Sequence, residues 1–181
     1  MWHLNPITFL LIPTVVCVAP GWSAEYLTQA EAQRALFPEA SAFEDRPLTL
    51  SGEQRKKIKE LSGLTQRSET QKTWRAVKDG KPLGWLIVDD VIGKHEYITF
   101  GCALTPEGKV IGIEILVYRE THGGQVRDAA WRKVFTGKTL KDKFELDNDV
   151  PNISGATLSS RNVMNGVKRL LALQQVMLAD G

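Results

Sequence analysis

Residues Ser154-Gly155-Ala156-Thr157-Leu158-Ser159-Ser160 crowd hydroxyls and small side chains directly ahead of a run, 163–177, whose apolar residues recur at helical spacing. Small residues let a ligand approach the backbone, and a helix start offers unpaired N–H groups at the positive end of the macrodipole. The chemistry implied is an anion or phosphate seat with a hydroxyl in it. Taken alone, the stretch also reads as an ordinary helix cap. A second cluster, Tyr118-Arg119-Glu120-Thr121-His122-Gly123-Gly124, closes an apolar run with a carboxylate, a hydroxyl, an imidazole and two glycines.

The elements that must position these groups follow from periodicity. From Lys72 the pattern alternates: 74–77 and 83–91 predict strands around the turn Asp79-Gly80-Lys81-Pro82. Another strand runs from Gly93-Lys94 through Thr105, and Pro106-Glu107-Gly108 turns the chain into a last strand, 109–118. The expectation is an antiparallel meander of about four strands of ordinary length. In the last strand Ile111, Ile113, Ile115 and Val117 are expected to share one aliphatic face that needs a cover. Helices are predicted over 28–36, with Thr28 as N-cap and Glu31 in the capping-box position, and over 52–61, with Ser51, Gln54 and a closing Gly63. Two more, 126–135 and 159–178, carry apolar stripes suited to cover the sheet. Helices packed on one side of an antiparallel sheet define an α+β domain. The chain thus divides into residues 1–24, a helical segment 25–69 and a main domain 70–181.

Composition narrows the classes. With 181 residues, 43% apolar and 24% charged, the chain suits one globular domain and excludes disorder and a polytopic membrane protein. A formal charge of +2, spread without an aromatic-interleaved basic stripe, points away from nucleic acid. Residues 1–24 contain no Asp, Glu, Lys or Arg and read as an export signal cleaved near Gly21 to Ala24, or as a retained N-terminal anchor. Cys102 is left without a partner once Cys17 departs with that segment, so neither a disulfide nor a cysteine metal site is expected. Cys102 reads as a small buried hydrophobe.

The order of these motifs resembles the FMN-binding domain family, known from flavin-carrying components of the Rnf electron-transport complex and of the sodium-translocating NADH:quinone oxidoreductase. The resemblance spans roughly residues 70–178 and includes the Asp79-Gly80-Lys81 turn, Gly93 and the Glu107-Gly108-Lys109-Val110-Ile111-Gly112 hairpin. It implies FMN esterified through its phosphate to Thr157, with Ser154, Gly155, Ala156, Leu158 and Ser159 around the bond. It also places Glu120, Thr121, Gly123 and Gly124 near the cofactor. Two positions depart from the family pattern: His122-Gly123-Gly124-Gln125 replaces Pro-Gly-Leu-Gly, and Pro151 replaces an aspartate, with Asp147 and Asp149 nearby.

The function so implied is an exported flavoprotein, periplasmic or otherwise extracytoplasmic and associated with a membrane redox chain, that relays electrons rather than acting as a stand-alone catalyst. Its FMN would be installed by a flavin transferase using FAD and magnesium. Its redox partner would be a membrane quinol, a haem protein or an iron–sulfur protein. No dinucleotide-binding glycine fingerprint follows a strand, so no NAD(P)H site is expected. The alternative is a flavin-free interaction or regulatory module held in the membrane by its N-terminal segment.

Overall fold

The computed structural model describes residues 24–179. The segment read as a leader or anchor lies outside the described residues except for Ala24, which opens a short edge strand. In chain order the elements are β1 (Ala24–Glu25), α1 (Gln29–Leu36), β2 (Ala42–Asp45), β3 (Leu48–Thr49), α2 (Gly52–Ser62), β4 (Thr70–Lys78), β5 (Lys81–Ile92), β6 (Tyr97–Leu104), β7 (Val110–Tyr118), α3 (Ala129–Lys133) and α4 (Thr157–Met177). The strands form one antiparallel sheet in the order β1-β7-β6-β5-β4-β2, with β3 also paired to β4.

Local chemistry explains the early helices. The Thr28 hydroxyl accepts from the Glu31 amide at 3.3 Å while the Glu31 carboxylate accepts from the Thr28 amide at 2.8 Å, which closes the predicted capping box of α1. Ser51 and Gln54 do the same for α2, and Gly63 ends that helix in the left-handed conformation. Ser51→Ala removes one of these bonds and is expected to cost about 1 kcal/mol, read as a lower urea midpoint with an unchanged slope. Residues 25–69 do more than form helices: β2 and β3 extend the sheet beyond β4, so this segment is built into the same core.

α4 is the main cover. Val163, Val167, Leu170 and Leu171 are buried against Phe100, Ile98, Ile113 and Ile115 of the sheet. α2 packs beside α4, contributing Ile58 to the same cluster. The α+β class is as the sequence implied, with one addition. α1 lies on the opposite face, where Ala32, Leu36 and Phe37 form a second cluster with Ala76, Leu86, Val88, Ala103 and Leu116. Cys102 is fully buried between strands, and burial pushes its thiol far up in pKa, so it is an inert packing residue.

The single aliphatic face expected of β7 does not form. Pairing to β6 shifts register between Ala103 and Leu104 and again between Thr99 and Phe100. Each shift inserts one extra residue into β7, and an extra residue sends the following side chains to the other face. Val110, Ile113, Ile115 and Tyr118 therefore point to the α4 cluster, while Ile111, Leu116 and Val117 join the α1 cluster. The second shift has a functional consequence, because it turns Tyr118 inward at the end of the strand.

The helix expected over 126–135 is also divided. Gly124–Arg127 make one 3₁₀ turn, Asp128 is extended, and α3 follows with Trp131 buried at 6% exposure. The break lets the Arg132 guanidinium reach back to the Arg127 carbonyl at 2.9 Å and across to the Ile113 carbonyl at 3.1 Å. Among the described residues no helix is long and apolar enough to cross a membrane.

Candidate functional site

One wall of the site is the start of α4. Ile153 and Ala156 are buried and the Ala156 amide donates to the Ile153 carbonyl at 2.9 Å, which ties down a turn whose tip, Ser154-Gly155, is exposed. Gly155 takes a φ of 77°, a left-handed conformation that favours glycine. No side chain caps α4, and no acidic residue lies in its first turn. The expected capping serines are otherwise engaged. The Ser160 hydroxyl donates back to the Ala156 carbonyl at 3.1 Å, and Ser159 is 2% exposed beneath Tyr118. Helix geometry therefore leaves the amides of Thr157, Leu158 and Ser159 without intrahelical partners.

The second wall follows β7. Turned inward by the bulge, the Tyr118 hydroxyl donates to the His122 carbonyl and lies 3.5 Å from Ser159 Oγ. One phenol thus joins the glycine loop to the first turn of α4. Gly123, at a φ of 83°, closes the same contact: a Cβ there would lie 2.1 Å from Ala156 Cβ. Burial pushes the Tyr118 phenol above its ordinary pKa, so it remains a proton donor at neutral pH. Tyr118→Phe is expected to cost about 1 kcal/mol and to speed amide exchange of residues 120–124 relative to the sheet. Equal exchange in the variant would show that the hydroxyl does not hold the loop.

The third wall is the turn between β5 and β6. The Gly93 amide donates to the Glu96 carbonyl at 2.7 Å, and Glu120 Oε1 accepts the amides of His95 at 2.6 Å and Glu96 at 3.0 Å. Burial pushes the Glu120 carboxyl up, but the amides of Glu96, His95 and Lys94 outweigh it and hold the group below the usual carboxylate range. Glu120 is therefore ionised, with Oε1 bonded to this turn.

The three walls enclose a cleft of about 600 Å³ lined by Lys94, His95, Glu120, Thr121, His122, Gly155, Ala156, Thr157, Leu158 and Ser159. Of the residues singled out from sequence, Glu120, Thr121, Gly155, Ala156, Thr157, Leu158 and Ser159 meet here. Ser154 is exposed outside the lining, while Gly123 and Gly124 shape the loop behind it. Lys94, His95 and Tyr118 were missed as site residues. Gly93 beside a strand end was the available sign of a close approach, and its Cβ position would fall 2.4 Å from Glu120 Oε1.

Asp147 and Asp149, the carboxylates nearest Pro151, do not reach the cleft. Asp149 accepts from Lys138 Nζ at 2.8 Å and from the amides of Phe144 and Glu145, and Asp147 accepts from the Asn152 amide at 3.3 Å. Both pin the loop that leads to α4, and Trp131 Nε1 adds a bond of 2.8 Å to the Pro151 carbonyl. A larger depression of about 820 Å³ lies on the other side of the β5–β6 turn. Its polar floor is satisfied internally: Arg169 pairs with Asp89 and Gln66, and Gln71 Nε2 donates to the Val88 carbonyl at 2.7 Å.

Comparison with known proteins bears on the first cleft. Residues 93–172 match the model of the FMN-binding domain, a span that contains all three walls. The G component of the sodium-translocating ferredoxin:NAD(+) oxidoreductase complex of Acetobacterium woodii is 24% identical over 161 residues, 82% of this chain and 74% of that protein. The G component of the proton-translocating ferredoxin:NAD(+) oxidoreductase complex of Clostridium ljungdahlii is 31% identical over 123 residues, 61% of this chain and 63% of that protein. The crystal structure of Shewanella oneidensis NqrC shares the fold with a TM-score of 0.53 at 16% identity, covering 79% of this chain and 87% of that one.

Proposed function

With residues 93–172 belonging to the FMN-binding domain family, we propose that the chain is a flavoprotein that relays electrons through FMN joined to Thr157 Oγ1 by a phosphoester, in a redox chain outside the cytoplasm. The observation that carries this reading is the position of Thr157, a hydroxyl at the uncapped start of α4 on the wall of the cleft. The residues present fit the group. A cleft of about 600 Å³ is of ordinary ligand size. Open first-turn amides and the helix dipole favour a phosphate by roughly 0.3 to 2 kcal/mol. Leu158, 43% exposed, offers apolar surface, and Thr121 and His122 offer hydrogen-bonding groups.

When bound, the flavin supplies the electron-transfer chemistry, and the protein supplies position and electrostatics. Thr157 provides the point of attachment. Attachment would form the Oγ1–phosphorus bond at the expense of the pyrophosphate bond of FAD, with AMP as leaving group and the hydroxyl proton released to solvent. A separate flavin transferase with magnesium carries out this step. Tyr118 and Gly123 keep the glycine loop against α4, so the cleft is preformed when the phosphate arrives.

Relatives that belong to ferredoxin:NAD(+) oxidoreductase complexes support a place within a multi-component redox chain. A membrane quinol, a haem protein or an iron–sulfur protein is the partner class. Export through the charge-free residues 1–24, or anchoring by them, gives the extracytoplasmic location, where a covalent bond prevents loss of a cofactor that is not made there. Protein co-expressed with a flavin transferase is expected to show flavin absorbance that dithionite bleaches and air restores. A colourless product under those conditions refutes the reading.

A further inference from the structure

We propose that the β5–β6 turn is the wall of the cleft that sets the flavin's redox potential, with Lys94 as its charge and Glu120 as the positioning residue that holds the turn in place. This rests on the flavin reading above and deepens it.

Resemblance alone would put Glu120 against the cofactor, but its Oε1 is taken by the amides of His95 and Glu96 at 2.6 and 3.0 Å. Hydrogen bonds to an ionised acceptor are about twice as strong as neutral ones, so this carboxylate is a clamp on the turn. Gly93 makes the clamp possible, because a Cβ there would meet Glu120 Oε1 at 2.4 Å and Cγ at 2.9 Å. The clamped turn carries Lys94 and His95 into the lining of the cleft that also holds Thr157. Among the described residues no carboxylate pairs with Lys94.

The phosphate end of the cleft is already served by the open amides of α4. The Lys94 ammonium is left for the other anionic part of the ligand. Two electrons from the redox partner and one proton from solvent leave the reduced ring system with one more negative charge than the oxidised one. Lys94 is exposed, and its turn, not its ammonium, is clamped; a cation on the wall of the cleft stabilises the reduced form over the oxidised form and raises the potential. The charged and titratable groups that face the ligand are Lys94, His95 and His122, with Glu120 on the same wall.

The signs of two substitutions separate this arrangement from direct contact. In flavin-loaded protein, Lys94→Gln is expected to lower the midpoint potential. Glu120→Ala removes a negative charge, which acting directly on the flavin would raise the potential. Acting through the turn, it lowers the potential by releasing Lys94, and Lys94→Gln then has little further effect in the Glu120→Ala background. A readout without flavin uses amide exchange. In the unloaded chain Glu120→Ala is expected to speed exchange at His95 and Glu96 about tenfold or more. An unmoved potential in Lys94→Gln, a raised one in Glu120→Ala, or unchanged exchange at both amides overturns the proposal. A wild-type protein that takes up no flavin overturns the function reading instead, and the exchange measurement still decides whether Glu120 clamps the turn.

Discussion

Thr157→Ala is expected to abolish flavin incorporation entirely, while Thr157→Ser retains it in reduced yield. Other hydroxyls near the cleft are poorly placed to take over. Ser160 is fully buried and bonded to the Ala156 carbonyl, Ser159 is 2% exposed against Tyr118, and Ser154 lies outside the lining. Thr121 lines the cleft, but its hydroxyl bonds His122 Nδ1 at 2.9 Å and it is not part of the helix that offers the open amides. Among the described hydroxyls near the cleft, Thr157 alone combines a partly exposed place in the lining with the open amides of α4, which would hold the phosphate where the proposed bond forms. The position is half-buried at the start of the helix and the hydroxyl makes no hydrogen bond seen in the structure, so stability is expected to change by no more than about 0.5 kcal/mol. In-gel flavin fluorescence and intact mass read the first effect, and thermal unfolding the second. Undiminished incorporation in Thr157→Ala, with the flavin mapped to another residue, would contradict the assignment.

Arg169→Leu is expected to be the most damaging single change to the scaffold around the site. Arg169 and Asp89 pair in the floor beneath the larger depression with side chains only 12% and 11% exposed. Removing the guanidinium leaves Asp89 buried without its counter-charge, and breaking such a pair costs about 3–5 kcal/mol. Burial already pushes the Asp89 carboxyl above its ordinary pKa with Arg169 in place, and losing Arg169 pushes it further. Above the ordinary aspartate value and below the raised folded one, the native state keeps a proton that the unfolded chain has lost. Stability therefore falls as pH rises through that window, more steeply in the variant than in wild type. Urea unfolding is expected to show a larger gap between variant and wild type at about pH 7 than at about pH 5. Asp89→Leu combined with Arg169→Leu is expected to recover most of the loss, since an apolar pair leaves no buried charge. A gap independent of pH would mean that packing, and not the stranded carboxylate, accounts for the cost.

Much of the scaffold was legible because its signals are local. Thr28 with Glu31 and Ser51 with Gln54 announced two helix starts, Asp79-Gly80 and Pro106-Glu107-Gly108 announced hairpins, and the stripe through Val163, Val167, Leu170 and Leu171 announced the long cover. The pairing of the Glu120-Thr121 loop with the Ser154 to Thr157 stretch was likewise visible as an order of motifs, and the fold brings both to one cleft.

What was not legible depends on register and on long-range partners. The two shifts in β7 are set by its pairing with β6, and no alternation within β7 alone reveals that Tyr118 turns inward. Glu120 reads as a carboxylate near a ligand until the β5–β6 turn, 24 and 25 residues away in sequence, is seen to use it. Lys94 carried no motif at all and acquires meaning only from the clamp on its turn. α1 was announced by its capping box, which says nothing of the face of the sheet it covers.

The most direct test of the central claim is acid precipitation of wild-type protein co-expressed with a flavin transferase, followed by flavin absorbance of pellet and supernatant. A phosphoester at Thr157 survives unfolding, so the yellow colour is expected to remain with the pellet. Colour released wholly to the supernatant, or absent from both fractions, would contradict attachment at the start of α4.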